Sequence, residues 1–199
     1  MVPPFLILYI AERYYMKVIL INGSPREKGC TYTALMEVAS SFEKNGIEYE
    51  IIQASLDKNS LNEIAEKVIS ADGLVVGSPV YYASASGLCT SFLDELFNRI
   101  SGKVRFKAAA AVVSCRRGGA SASFDQINKY FMISEMVVVS SNYWNQVHGN
   151  TPDEVRKDEE GMQTMRLLGE NMSYVIKALK KAALSMPEKE ARIKTNFIR

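Results

Sequence analysis

The sequence predicts an α/β fold: one domain built on an open, doubly wound parallel sheet of five strands, with helices on both faces. Three observations lead there. Residues 17–21, 74–76 and 106–113 are short, branched apolar runs with little polar alternation, the pattern of strands buried on both faces. Breaker loops of small residues end these runs, and stretches with apolar residues at three- and four-residue spacing follow. Strand and helix signals alternate along the chain, with connections that suit right-handed crossovers.

The first strand, residues 17–21, ends in Asn22-Gly23-Ser24-Pro25. Residues 32–45 read as a helix, with Leu35, Val38, Ala39 and Phe42 on one face and Asn45-Gly46 as its stop. Residues 48–53 alternate in polarity, which marks a strand near the sheet edge. A short helix over 61–70 leads into the third strand, which ends at Gly77-Ser78-Pro79. A helix over 84–100 follows, then the near-continuous apolar run 106–113, which is the central strand. Residues 121–131 form a helix, 136–140 the fifth strand and 158–183 a long closing helix. Asp158, Glu159 and Glu160 complement the dipole at the start of that helix. The domain spans residues 16–185, and residues 186–199 are expected to be a charged surface tail. Residues 1–15 are expected to be an extension outside the fold. Their apolar part is too short to span a bilayer and lacks the basic region and cleavage site of a secretory signal. Met16 then reads as an alternative start; an apolar arm packed on a partner subunit is the other reading.

A chain of 199 residues in one domain buries about 70% of its unfolded surface. An apolar share of 47% and a charged share of 23% are those of an ordinary soluble globule. A net charge of +2 gives no support to a nucleic-acid partner. Cys30, Cys89 and Cys115 lack C-x-x-C spacing, which suggests a reducing, cytoplasmic compartment and no metal site. The single His148 argues against a histidine-based metal cage or triad.

Chemistry concentrates in the loop after the first strand. A strand, a small-residue loop and a helix start form an anion cradle, because the first helical amides lack internal partners. Ser24, Thr31 and Thr33 add hydroxyls, and Arg26 adds a guanidinium. Five residues separate Gly23 from Gly29 and Cys30 stands where a Walker lysine would be, so the loop is not a P-loop. Ser24-Pro25 after Gly23 also breaks the dinucleotide pattern GxGxxG. A hydroxyl-rich cradle for one terminal monophosphate remains, alongside the plainer reading of an ordinary strand-to-helix turn. The third strand also ends in Gly-Ser-Pro, followed by Val80-Tyr81-Tyr82-Ala83, a loop able to face a flat heteroaromatic ring. Ligands of open α/β sheets bind beyond the carboxyl ends of such strands.

Taken together, NGSPREKGCT, GSPVYYASASGLCTSFLDEL and SCRRGGAS resemble the flavodoxin-like NAD(P)H-dependent FMN reductase family, as do NYWNQVHGNTPDEV and DEEGMQTMRLLGENMSYVIKAL. The likeness runs over residues 17–181. It implies the strand order 2-1-3-4-5, FMN as cofactor and NADPH or NADH as co-substrate. Hydride would pass to the flavin and then to free flavin, a quinone or a similar small acceptor. It further implies a homodimer or homotetramer, with neither nucleic acid nor membrane as partner. By the same resemblance Ser24, Arg26, Thr31, Tyr32 and Thr33 hold the FMN phosphate. Ser78, Pro79, Val80, Tyr81, Tyr82 and Ala83 flank the ring on one side, and Ser114, Arg116, Gly118 and Gly119 on the other. No side chain need be catalytic, because the flavin carries the chemistry. The subgroup it most resembles includes iron–sulfur flavoproteins, whose cysteine cluster lies between the second strand and second helix. Here residues 53–60 read QASLDKNS, so no cluster is expected by that route. Thr90 and Asp94-Glu95 stand where the family often has Lys and Asp-Arg, and Cys30 where it often has Asn. A flavodoxin-type electron carrier without NAD(P)H activity is the alternative; by the resemblance long-chain carriers of that type are strongly acidic, whereas this chain is slightly basic.

Each candidate also has a plainer reading. Ser24 and Thr31 suit helix caps. Arg26 suits a solvated turn or the phosphate of a pyridine nucleotide. Tyr81 and Tyr82 point to opposite sides of an extended backbone, so one faces the ring and the other packs. Gly118 and Gly119 admit close backbone approach or simply turn the chain. Arg116 and Arg117 favour a reduced, anionic flavin or face solvent. Cys115 suits a small packed hydrophobe, and Trp144 and His148 suit either a loop closing over the flavin or local packing.

Overall fold

The structure is a computed structural model and describes residues 15–197. Strands β1 (Lys17–Asn22), β2 (Glu48–Gln53), β3 (Gly73–Tyr81), β5 (Ala108–Cys115) and β6 (Val137–Val138) run parallel in the order β2-β1-β3-β5-β6. The expected order is therefore observed. Two short strands, β4 (Ser84–Ala85) and β7 (Gln146–His148), bring the count to seven rather than five.

Every central strand is apolar on both faces because both faces are covered. On one side α1 (Cys30–Lys44) and α6 (Glu159–Ala182) bury Val18, Leu20, Val75, Ala110 and Val112. On the other, α2 (Lys58–Ser70), α3 (Gly87–Ile100) and α4 (Ala120–Ile133) bury Ile19, Ile21, Val76, Ala111 and Val113. Adjacent residues alternate between the two layers, as the pleat requires. The run of four alanines at 108–111 in β5 lets helices approach the middle of the sheet closely. Each fully buried Leu, Ile, Val or Phe contributes about 1.5–3 kcal/mol.

Three differences from the sequence reading have physical causes. The third strand does not stop at Gly77-Ser78-Pro79 but continues to Tyr81, with Pro79 in register with Ser114. Gly77 uses its carbonyl to accept from Gly23 of the β1 side, so the ring nitrogen of Pro79, two residues on, faces that side beyond the end of β1. No ladder bond is lost there. Residues 84–85 form a hairpin with β3 rather than the start of a helix, pairing Val80 with Ala85 and Tyr81 with Ser84. Tyr82 turns that hairpin with φ 58°, and Ser86 then caps α3 by accepting from the Cys89 amide.

The fifth strand is interrupted. Residues 137–138 pair with Ala108 and Ala109, whereas Gln146, Val147 and His148 pair with Val113, Ser114 and Cys115. A short helix, α5 (Pro152–Lys157), precedes α6 and carries its own Thr151 cap. Residues 1–14 of the expected extension, and 198–199 of the expected tail, lie outside the described residues. Tyr15 touches the domain: its hydroxyl donates to Glu48 over 3.0 Å and its carbonyl accepts from Lys180. Residues 183–197 form neither helix nor strand and are exposed. Among the described residues no helix is long and apolar enough to cross a membrane.

Candidate functional site

The two Gly-Ser-Pro segments lie side by side at the carboxyl end of the sheet. The Gly23 amide donates to the Gly77 carbonyl over 2.8 Å, and Ser86 Oγ donates to the Gly23 carbonyl over 2.7 Å. Ser86 N donates in turn to Ser78 Oγ over 3.1 Å, so Ser78 is fully buried as a structural brace. The approach requires the absence of side chains. A Cβ on Gly23 would lie 2.6 Å from Cys89 Sγ, and one on Gly77 2.8 Å from Thr31 Cγ2.

Asn22 shapes the first loop. Its Nδ2 donates to the carbonyls of Arg26 and Glu27 and to Gln53 Oε1, and its Oδ1 accepts from the Ser24 amide. The buried Ser24 hydroxyl accepts from the Arg26 amide over 3.1 Å. The loop delivers the chain to Gly29, which caps α1 without a side chain. Asp57, Ser86, Thr151 and Asp158 each cap the helix that follows them with a side-chain oxygen. The first amides of α1, and those of α4 after Gly119, have no such cap. Thr31 Oγ1 and Ser114 Oγ form a buried hydrogen bond of 2.8 Å that joins α1 to the end of β5.

A cleft of about 120 Å³ opens here. Ser24, Arg26, Thr31, Pro79, Val80, Tyr81, Ser114 and Arg116 of the sequence candidates line it. The other candidates stand apart from its wall. Thr33 donates to the Gly29 carbonyl over 3.1 Å within α1, and Tyr32 is half-buried on the same helix. Tyr82, Ala83 and Gly118 are exposed, and Tyr82 lies at the hairpin tip. Gly119 packs beneath Val80, with its absent Cβ only 2.7 Å from Val80 Cγ1.

Sequence reasoning did not place Cys30, Cys115, Gly149 and Asn150 in the cleft, and all four line it. Gly149 arrives there because β7 runs along β5 and its amide donates to the Cys115 carbonyl over 3.1 Å. Cys30 Sγ then contacts the Gly149 carbonyl at 3.7 Å. Burial raises the pKa of both Cys30 and Cys115, and Arg26 partly opposes the shift at Cys30. Cys89 is a packed hydrophobe whose burial pushes its thiol up to about 12. His148 is fixed locally: its amide donates to Asp158 Oδ2 over 2.6 Å, with Nδ1 3.5 Å from the same oxygen. Tyr143 and Trp144 pack with ring centroids 4.8 Å apart and planes tilted by 53°, half-exposed, next to His148 and outside the cleft wall.

Among the described residues, the cleft wall carries two guanidinium groups and no carboxylate. It has no acid–base pair, so its chemistry is that of a binding site for an anionic ligand. The donor set fits a phosphate at the α1 end: uncapped amides, the hydroxyls of Ser24 and Thr31, and Arg26. The enclosed volume is small against a whole flavin, so a bound ring would lie at the open mouth beside Val80 and Tyr81.

Comparison with known proteins agrees with this geometry. Residues 16–151 match the NADPH-dependent FMN reductase family. The chain is 31% identical over 200 residues to an iron-sulfur flavoprotein of Methanocaldococcus jannaschii, covering 83% of this chain and 100% of that protein. It is 34% identical over 103 residues to an FMN reductase (NADPH) of Escherichia coli, covering 45% of this chain and 53% of that one. Among solved structures, RosB with bound 8-demethyl-8-formylriboflavin-5'-phosphate superposes with a TM-score of 0.70 at 16% identity, covering 92% of each chain. A flavodoxin from the domain Archaea superposes at 0.64 and 17% identity, covering 81% of this chain and 99% of that one. The chain belongs to the NADPH-dependent FMN reductase family and is a flavin-dependent oxidoreductase.

Proposed function

We propose that the protein binds FMN in the cleft and oxidises NADPH or NADH, delivering the electrons to a small acceptor such as free flavin or a quinone. The observation that carries this reading is the convergence of the uncapped α1 amides, the Ser24 and Thr31 hydroxyls and Arg26 on one end of a carboxylate-free cleft. These groups would hold the phosphate. The β3–β4 hairpin from Pro79 to Ala83 would present backbone amides to the ring edge, and Gly119, which lacks a side chain where it packs against Val80, lets the turn after β5 brace that hairpin. When bound, the flavin supplies hydride acceptance and onward two-electron transfer. The chain's part is to fix the ring with one face open. Tyr82, exposed at the hairpin tip, and the Tyr143–Trp144 pair would border that open face in a homodimer or homotetramer.

The visible spectrum of the purified protein, before and after anaerobic NADPH and NADH, tests the reading. Flavin bands that bleach rapidly with either nucleotide support it. Bands that persist with both would identify an electron carrier that needs a separate reductase. A protein that stays colourless after FMN is added would overturn the cofactor assignment.

A further inference from the structure

A loop that cradles an anion needs its amides and hydroxyls turned towards the ligand and its carbonyls turned away, since a carbonyl oxygen facing a phosphate repels it. In the loop after β1, the carbonyls of Ser24, Arg26 and Glu27 are all taken up on the side of the sheet. Asn22 Nδ2 donates to the Arg26 carbonyl over 3.3 Å and to the Glu27 carbonyl over 3.0 Å. The Ser24 carbonyl accepts from Nε2 of Gln53, the last residue of β2. Neither Asn22 nor Gln53 belongs to the cleft wall, whereas Ser24 and Arg26 do. Arg26 thus faces two ways, with its side chain at the cleft and its carbonyl at the sheet.

Asn22 and Gln53 are partners in the parallel ladder of β1 and β2, and their side chains hold each other there. Asn22 Nδ2 donates to Gln53 Oε1 over 2.8 Å, and Asn22 Oδ1 accepts from the Ser24 amide over 3.2 Å. Asn22 Nδ2 already shares two protons among three acceptors, so it has none left for the Ser24 carbonyl. Among the described residues Gln53 is the one donor to that carbonyl. The other end of the same residue faces the ligand. Ser24 Oγ accepts from the Arg26 amide over 3.1 Å, and its own proton has no acceptor among the described residues, which leaves it to donate into the cleft.

We propose that Gln53 is a positioning residue for the phosphate of the bound flavin. By holding the Ser24 carbonyl at the sheet, it keeps that oxygen away from the phosphate and leaves the Ser24 hydroxyl to face it. This inference rests on the reading of the cleft as an FMN site. It ties Gln53 to the phosphate monoester and not to the flavin ring, so the two parts of the ligand respond differently to its loss.

The test titrates flavin-free wild type, Q53M and Q53E with FMN and with riboflavin, which has the same ring and no phosphate, by quenching of flavin fluorescence. Q53M keeps the length of the side chain without a donor, and Q53E sets a carboxylate oxygen against the Ser24 carbonyl. Q53M is expected to bind FMN about tenfold more weakly and Q53E more weakly still, while riboflavin binds all three alike. In FMN-saturated Q53M the phosphorus resonance should shift from its wild-type position while the visible spectrum of the flavin stays the same. Unchanged FMN affinity in both variants would overturn the proposal. So would an equal loss for FMN and riboflavin, or variants that fail to fold, because Gln53 would then serve the ring or the fold. Wild type alone reports on the underlying reading. If it bound riboflavin as tightly as FMN, no phosphate would sit in the cradle, and if it bound neither, the flavin assignment itself would fall.

Discussion

Asn145 Nδ2 donates to the Ala111 carbonyl over 3.0 Å, while the Asn145 carbonyl accepts from the Val113 amide over 2.9 Å. One residue thereby occupies two rungs of the ladder on β5. The rung before it comes from the Val139 amide on Ala109, and the rungs after it from β7. The side-chain amide substitutes for a stretch of backbone, so residues 140–144 loop out of the fifth strand without leaving β5 unpaired. That loop presents Tyr143 and Trp144, and the chain returns in register to bring Gly149 and Asn150 into the cleft. Replacing Asn145 with Ala should cost about 1–3 kcal/mol, from a buried carbonyl left without its donor. At roughly 2–4 °C per kcal/mol for a domain of this size, the loss is readable in thermal melts. Asp should be worse than Ala, since it would set a buried carboxylate against the Ala111 carbonyl. An N145D variant as stable as wild type would contradict this account of the interrupted strand.

This interruption shows where the sequence stops being legible. Strands β1, β3 and β5 are readable because burial on both faces leaves a purely apolar run, a local signal. β7 has three residues and owes its existence to β5, so no local pattern announces it. Pro79 reads as a breaker, yet its ring nitrogen faces a side where the neighbouring strand has already ended. The site divides in the same way. Ser24, Arg26 and Thr31 stand within eight residues of one another and could be read together. Cys30 and Gly149 meet across 119 positions, and only the folded register brings them into one wall.

The contact between Gly23 and Gly77 makes a second prediction. A Cβ on Gly23 would lie within 2.6–2.8 Å of Cys89 and of the Gly77 carbonyl. Gly23→Ala should therefore push the two loops apart, at about 1–3 kcal/mol of overpacking. Because Ser86 holds the Gly23 carbonyl, the displacement reaches the phosphate end of the cleft. FMN affinity, measured by quenching of flavin fluorescence, should fall together with stability. Gly46→Ala serves as a control, since nothing lies within 4 Å of its Cβ and its φ of 68° gives backbone strain alone. If G23A bound FMN as tightly as wild type, the close approach of the loops would not matter to the site.

Thr31 and Ser114 invite a double-mutant cycle. Each is buried and each satisfies the other over 2.8 Å. T31V strands the Ser114 hydroxyl and S114A strands the Thr31 hydroxyl, each at about 1–3 kcal/mol. The double variant leaves neither hydroxyl behind, so its loss of stability should be clearly less than the sum of the two. FMN binding should behave differently. T31V and the double variant should both weaken it by about tenfold or more, through loss of a hydroxyl at the phosphate end. Strict additivity in chemical denaturation would show that the two hydroxyls do not act as a pair.

The three cysteines should separate by environment. Only the thiolate reacts with alkylating agents, and burial raises the pKa of all three thiols. At pH 8 the native protein should be labelled first at Cys30, which is only partly buried and lines the cleft, and FMN should slow that labelling. Cys89, fully buried with its pKa pushed up to about 12, should stay unmodified until the protein unfolds. Linkage gives the sign of its effect on stability. The folded state keeps the Cys89 proton where the unfolded chain, near the ordinary value of 9.0, releases it. Its contribution is then fully present below about pH 9 and declines as the pH rises towards about 12. Comparing urea midpoints of wild type and C89A from pH 7 to 11 isolates this group from other alkaline titrations. The gap between the two should narrow, or change sign, above about pH 9. Parallel curves across the whole range would show that Cys89 ionises as readily in the fold as outside it.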